Sequence, residues 1–233
     1  MELSELSGAV EDDISEIVLD GSVPVVYSTE LSSTEGVDVK IVVMNNVTLD
    51  GVIQAPGRAD EDTRGGFAYG GWASQNIDEP DPEIGAAMGV RMSQSDGLLF
   101  GRRTYEDLMT TWNARGGMFK DALNAAQKYV VSQTLTDPLP WPNSKVIAGN
   151  VVEAVADLRS RPGRELHIMG SGQLIETLVA HQLVDEFLLM IFPVVLGSGR
   201  RLFAGDTYAE LDLVGAKATQ SGVVIATYRA KSA

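Results

Sequence analysis

Two short arrangements in this chain combine glycine with groups that hold anions. In Leu98-Leu99-Phe100-Gly101-Arg102-Arg103-Thr104-Tyr105-Glu106 an apolar run passes through one glycine straight into a helical pattern. The first amides of a helix lack partners inside it and carry partial positive charge, so they suit phosphate, and adjacent arginines add forked donors. In Met169-Gly170-Ser171-Gly172-Gln173 a second apolar run opens into small residues before another helical stretch, the layout of a cradle of backbone amides. It is not a Rossmann fingerprint. The third glycine would have to stand where Ile175 is, and Gly197-Ser198-Gly199 fails likewise at Leu202. The acids with a possible part in proton transfer are Asp50, in Thr48-Leu49-Asp50-Gly51, and Asp81 and Glu83, on either side of Pro82. Asp-Gly is also an everyday turn, and acids in the first turn of a helix are favoured by its dipole.

Between Pro56-Gly57-Arg58 and Gly70-Gly71-Trp72 the chain forms a glycine-rich loop that also holds Gly65-Gly66-Phe67 and Tyr69. Loops this long inside a compact domain are functional or disordered. Aromatic faces stack on flat heterocycles and glycines let backbone approach them, so Phe67 and Trp72 are expected to line a substrate cover.

The elements that must position these groups alternate. Strands are expected at 39–43, 97–100, 128–132, 145–148, 166–169, 187–191 and 223–228, with helices at 82–93, 104–111, 151–159 and 173–180. That order predicts an α/β fold: three layers, a mainly parallel sheet with helices on both faces, and an antiparallel C-terminal strand. Such sheets bind ligands at the carboxyl ends of their strands. Residues 1–38 form a separate acidic arm. Leu3, Leu6, Val10, Ile14 and Ile17 recur at helical spacing, and a Ser/Thr/Glu/Gly linker follows from 28 to 38.

Composition narrows the chemistry. The net charge of −14 resides mostly in the arm, whose ten acids face no Lys or Arg; the rest carries 22 acids against 18 bases. An acidic arm repels nucleic acid. Cysteine is absent and histidine is limited to His167 and His181, so disulfides, thiolate nucleophiles and histidine-rich metal centres drop out. No apolar run reaches the ~18 residues of a membrane span, and the N-terminus lacks a secretory pattern. A cytoplasmic enzyme without a metal is expected.

The strand-Gly-Arg-Arg-Thr-Tyr-Glu sequence resembles the signature of the dihydrofolate-reductase-like family, which includes the reductase domain of riboflavin biosynthesis. Other pieces fall in family order: Thr48 to Gly51, Val130-Val131-Ser132-Gln133-Thr134, Met169 to Gln173, Val184 to Phe187, and Pro193 to Gly199 with Leu202-Phe203. The resemblance covers about residues 39–230. It implies hydride transfer from NADPH to a pterin-, flavin- or pyrimidine-like heterocycle. It places the backbone of Asn45 and Asn46 at the nicotinamide and Gly101, Arg102, Arg103 and Thr104 on phosphate. Ser132 falls on the adenosine side, and Gly170, Ser171, Gly172 and Gln173 on the diphosphate. The carboxylate that grips the pterin in dihydrofolate reductases falls here on Gly85, which leaves Glu83 or Asp81 as substitutes. A homodimer is implied too, with the apolar segment 187–195 as a possible interface or a buried strand. The competing expectation is a nucleotide-binding scaffold whose arm docks a partner.

Overall fold

The computed structural model describes residues 38–75, 81–205 and 207–231; the helix and linker expected in the N-terminal arm lie outside them. Strand β1 (Lys40–Thr48) is nine residues long and buried along nearly its whole length, because it has neighbours on both edges and helices over both faces. Its extent corrects the shorter strand expected: Asn45 and Asn46 belong to β1 and do not follow it.

The other strands are β2 (Ser95–Gly101), β3 (Lys128–Val131), β4 (Ser144–Ile147), β5 (Glu165–Met169), β6 (Glu186–Phe192), β7 (Leu211–Ala218) and β8 (Val224–Ala230). They form one sheet in the order β4-β3-β2-β5-β1-β6-β8-β7. The six before β7 run parallel, and β7 and β8 close the sheet as an antiparallel hairpin. The apolar segment from 187 is therefore central strand β6, paired with β1 and β8. The expected single terminal strand is half of a hairpin.

The helices are α1 (Trp72–Gln75), α2 (Pro82–Met92), α3 (Arg102–Arg115), α4 (Met118–Ala125), α5 (Val151–Arg159) and α6 (Gly172–Ala180). Alternation along each strand assigns them to faces. Ile41, Val43, Leu99, Leu166 and Ile168 pack with Val155, Leu158, Leu174, Ile175 and Leu178 of α5 and α6. Val42 and Met44 face Ile84, Met88 and Met92 of α2, while Leu98, Phe100 and Val130 face Tyr105, Met109 and Leu123 of α3 and α4. Met169 touches both of these latter groups, so they share one face.

Crossovers in parallel sheets keep one hand, so the direction of travel decides the face. The chain leaves β2 toward β3 through α3 and α4 on one face, and leaves β5 toward β6 through α6 on the other. β2 and β5 are neighbours. Their carboxyl ends therefore part to opposite sides and open a crevice, the switch point at which such sheets take ligands.

At the opposite end of the sheet, Arg91 in the last turn of α2 bridges Glu165 at 2.7 Å and Glu186 at 2.6 Å. His167 is fully buried with its Nε2 2.7 Å from Glu165, and this cluster fastens α2 to the strands. No helix among the described residues is long and apolar enough to cross a membrane.

Candidate active site

The crevice is lined by the glycine segments. The register puts Leu99 beside Ile168 and Met44 beside Met169, so Gly101, Gly170 and Asn45 follow in a row across β2, β5 and β1. Gly101 donates its N–H to Ser171 Oγ at 2.7 Å, and Gly170 donates to Asn45 Oδ1 at 2.7 Å. A Cβ on Gly101 would stand 3.2 Å from Ser171 Oγ, and one on Gly170 would stand 3.1 Å from the Thr104 methyl. Gly170 and Ser171 both have φ of 68°, a left-handed pair that turns the chain from β5 into α6.

Two helices start at this crevice, and neither has a side-chain cap: α3 follows Gly101 and α6 follows Ser171. By contrast, Asp81 caps α2 and Asn150 caps α5. The start of α3 carries Arg102, which pairs with Glu106 at 3.6 Å, and the exposed Arg103. Gln173 is exposed in the first turn of α6. Open amides with cations at the rim form a local positive field on an otherwise acidic chain.

At the end of β3, Ser132 Oγ accepts from the N–H groups of Thr134 at 3.1 Å and Leu135 at 2.9 Å. Its oxygen thus turns the chain, and its hydroxyl proton is what it can offer a ligand.

The acids expected to deliver a proton are tied up elsewhere. Asp50 Oδ1 accepts from Thr48 Oγ1 at 2.6 Å and Leu196 N–H at 3.2 Å, and Oδ2 accepts from Gly197 N–H at 2.9 Å. Arg201 also bonds to this residue. These donors, the Thr48 hydroxyl above all, hold its carboxyl down at about 2. These bonds make it an anchor for the 193–197 segment. Asp81 accepts from the amides of Glu83 and Ile84 and from Ser221 Oγ at 2.6 Å. The Ser221 hydroxyl is the main cause of its lowered pKa, and its side chain caps α2.

Glu83 pairs with Lys217 of β7 at 2.5 Å. Lys217 aligns with Ile225, Met190 and Asn46 across β8, β6 and β1. Three strand spacings of ~4.8 Å put that partner roughly 14 Å from β1, so Glu83 stands over the hairpin side of the sheet.

The aromatic loop also differs from expectation. Phe67 and Trp72 are buried, 7% and 2% exposed, within the core beside Val52, Phe192 and Leu196. Trp72 Nε1 donates to Gln54 O at 2.7 Å and its ring meets Phe192 edge-on. Phe67 fills the space beside Gly199, where a Cβ would lie 2.6 Å from its ring. These two rings hold the loop in place, whereas Tyr69 is 51% exposed.

Sequence reasoning passed over Gln54 and Arg200. Gln54 Nε2 donates to Asp62 O and Arg64 O, and its Oε1 accepts from Arg200 N–H. Arg58 secures the same loop to Asp107 of α3 at 2.6 Å. The one available signal was the pair Arg200-Arg201 inside the glycine-rich 197–202 segment.

The strand order, the switch point and the helix-start crevice define an α/β protein of the dihydrofolate-reductase-like fold. Residues 39–225 match the RibD C-terminal domain, and the chain belongs to that family. A curated relative, the uncharacterized protein YyaP of Bacillus subtilis (strain 168), is 33% identical over 156 residues, covering 64% of this chain and 80% of that protein. Among solved structures, a protein ascribed to riboflavin biosynthesis from Shewanella sp. PV-4 superposes with TM-score 0.65 at 22% identity, over 83% of this chain and all of that one. A pyrimidine reductase-like protein from Corynebacterium diphtheriae gives 0.55 at 12%, over 84% and 93%. The dihydrofolate reductase of Enterococcus faecalis, complexed with NADP(H) and RAB-propyl, gives 0.53 at 11%, over 84% and 99%. At these identities the structures establish the fold.

Proposed function

We propose that this protein is an NADPH-dependent reductase of a pterin-, flavin- or pyrimidine-like heterocycle. The observation that carries the reading is the convergence of Asn45, Gly101 and Gly170 to Gly172 at the switch point, beside two helix starts without side-chain caps. The family and the fold shared with a riboflavin-biosynthesis protein and a pyrimidine reductase-like protein favour that substrate class.

The residues present fit the cofactor. A dinucleotide needs amide donors for its diphosphate, a close backbone approach, and cations for a terminal phosphate. At Gly101 and Gly170 a Cβ would press on Ser171 or Thr104, so glycine lets the strand ends and the two helix starts close up into one cradle. Asn45 Nδ2 is a buried donor without a partner. α3 and α6 supply amides, and Arg102 and Arg103 suit the 2′-phosphate that distinguishes NADPH from NADH. Bound there, the cofactor supplies the hydride.

The protein's own work is orientation. β1 presents Asn45 and Asn46 at the crevice, and α2 and the 54–75 segment exclude water from one side. Since Asp50 and Asp81 are committed to structure and Glu83 is paired with Lys217, the proton comes from water or from the substrate's own acidic groups.

Calorimetric titration with NADPH and NADH, followed by turnover on a panel of oxidised pterins, flavins and aminopyrimidines, tests this. Tight NADPH binding with oxidation on at least one heterocycle is expected. Equal affinity for the two cofactors removes the 2′-phosphate argument. Binding with no turnover on any compound supports the scaffold reading instead.

A further inference from the structure

Arg200 lies in the segment between β6 and β7, and its backbone is held on both sides: its N–H donates to Gln54 Oε1 at 2.9 Å and its carbonyl accepts from Ile53 N–H at 2.9 Å. Its side chain crosses the start of α6. The Arg200 Cδ and Cγ stand 2.6 and 3.4 Å from where a Cβ on Gly172 would be, with Ile53 Cδ1 at 3.2 Å. The first residue of α6 is therefore a glycine because the arginine stem occupies that space. The guanidinium is tethered two bonds beyond that Cδ. The neighbouring Arg201 is tied to Asp50, whereas Arg200 enters no ion pair among the described residues.

A cation held at the positive end of a helix is repelled by the dipole, so an anion between them would stabilise both. A separate observation points to the same place. Asn45 is 7% exposed, and its Oδ1 accepts from Gly170 N–H at 2.7 Å. That bond fixes which end of the amide is which. It leaves Nδ2 buried at the glycine loop with no partner. Buried donors without partners are costly, and this one calls for an acceptor from outside the chain.

We infer that Arg200 is a diphosphate-binding residue, whose guanidinium joins the open amides of α6 and Asn45 Nδ2 around the diphosphate of the dinucleotide. The identity of the ligand rests on the reductase reading; the anion site does not. Because Gln54 and Ile53 hold the Arg200 backbone, diphosphate bound there also fixes the 52–54 segment that leads into the aromatic loop.

The test uses Arg200→Met, which keeps a stem over Gly172 and removes the fork, and Arg200→Lys, which keeps the charge. NADPH affinity is measured by calorimetry, and Tm is measured without ligand and with inorganic pyrophosphate. Arg200→Met is expected to weaken NADPH binding at least about tenfold, as for a lost charged hydrogen bond, with Arg200→Lys recovering part. The ligand-free Tm of Arg200→Met should equal or exceed the parent value, since a cation has left the positive end of a helix. Unchanged NADPH affinity in Arg200→Met overturns the inference, and so does a clear fall in its ligand-free Tm, which would mark a structural residue. If the parent protein ignores NADPH but pyrophosphate raises its Tm and not that of Arg200→Met, the anion site stands and the reductase reading falls. If neither ligand affects the parent, both fall.

Discussion

Replacing Asp50 by Asn separates an anchor from an acid. Its carboxylate accepts from Thr48, Leu196 and Gly197, and its pKa drops from 3.8 to about 2. At about 1.36 kcal/mol per pH unit that fall corresponds to at most about 2.4 kcal/mol. The carboxylate edge reaches solvent beside Arg201, and screening there reduces the value to about 1 kcal/mol. In Asp50→Asn one carboxylate oxygen becomes an NH₂ group, which sets a donor against a backbone N–H and adds a comparable cost. The expected loss at neutral pH is about 1–2 kcal/mol. The sign follows from the depressed pKa: the folded state prefers the ionised form, so the stabilisation is present above the unfolded value of 3.8 and is lost as pH falls toward 2. Urea unfolding of both proteins from pH 7 down to 2.5 reads this directly, with the stability gap narrowing below about pH 4. A gap independent of pH, or a variant as stable as the parent but without turnover, would refute the argument and restore Asp50 as a proton donor.

Other outcomes follow from contacts away from the crevice. Gly199→Ala should cost about 2–4 kcal/mol in urea unfolding, because φ is 109° there and the new methyl would lie 2.6 Å from the buried Phe67 ring and 2.8 Å from Val52. Lys128 is fully buried, donates to the carbonyls of Leu123 and Ala126 at 2.6 and 2.7 Å, and has its pKa lowered to about 8 by desolvation. Between about pH 8 and 10.5 the unfolded chain keeps a proton that the folded chain has released, so stability should rise with pH in that window. Lys128→Met should abolish that rise relative to the parent, and persistence of the rise in the variant would contradict the assignment. On the α5–α6 side of the sheet, Leu49 and Phe203, 65 and 39% exposed, line an apolar hollow with Leu189, Leu211 and Tyr228, and Leu213, 58% exposed, pairs with Tyr228 on the neighbouring strand. A homodimer closing this face is expected in light scattering, and Leu213→Asp should shift it to monomer.

The parallel half of the sheet was legible because its strands are apolar runs that end at glycine: Leu98 to Gly101 and Leu166 to Gly170 needed nothing else. β7 escaped because it is an edge strand with no buried residue along Leu211–Ala218, so it carries no alternation to detect. α4 has eight residues between Gly117 and Ala126 and buries only Leu123, too little for a helical stripe. At the site, segments close in sequence were readable and partnerships across long separations were not. Phe67 has the composition of a ligand platform, yet its ring packs on Gly199, and Asp50 reads as a candidate acid until the amides of Leu196 and Gly197 are seen to meet it. Arg200 gained significance only once Gly172 was found beneath its stem.

Gln54 links the 62–64 segment to the 200 segment through three hydrogen bonds of 2.9 to 3.1 Å while only 9% exposed. A carboxamide neither gains nor loses a proton in the physiological range and gathers no counter-ions. This tie between the two segments should therefore hold equally in dilute buffer and in brine, in mild acid and in mild base. Salt dependence of the same loop would then enter through its ion pairs, Arg58 with Asp107 first among them.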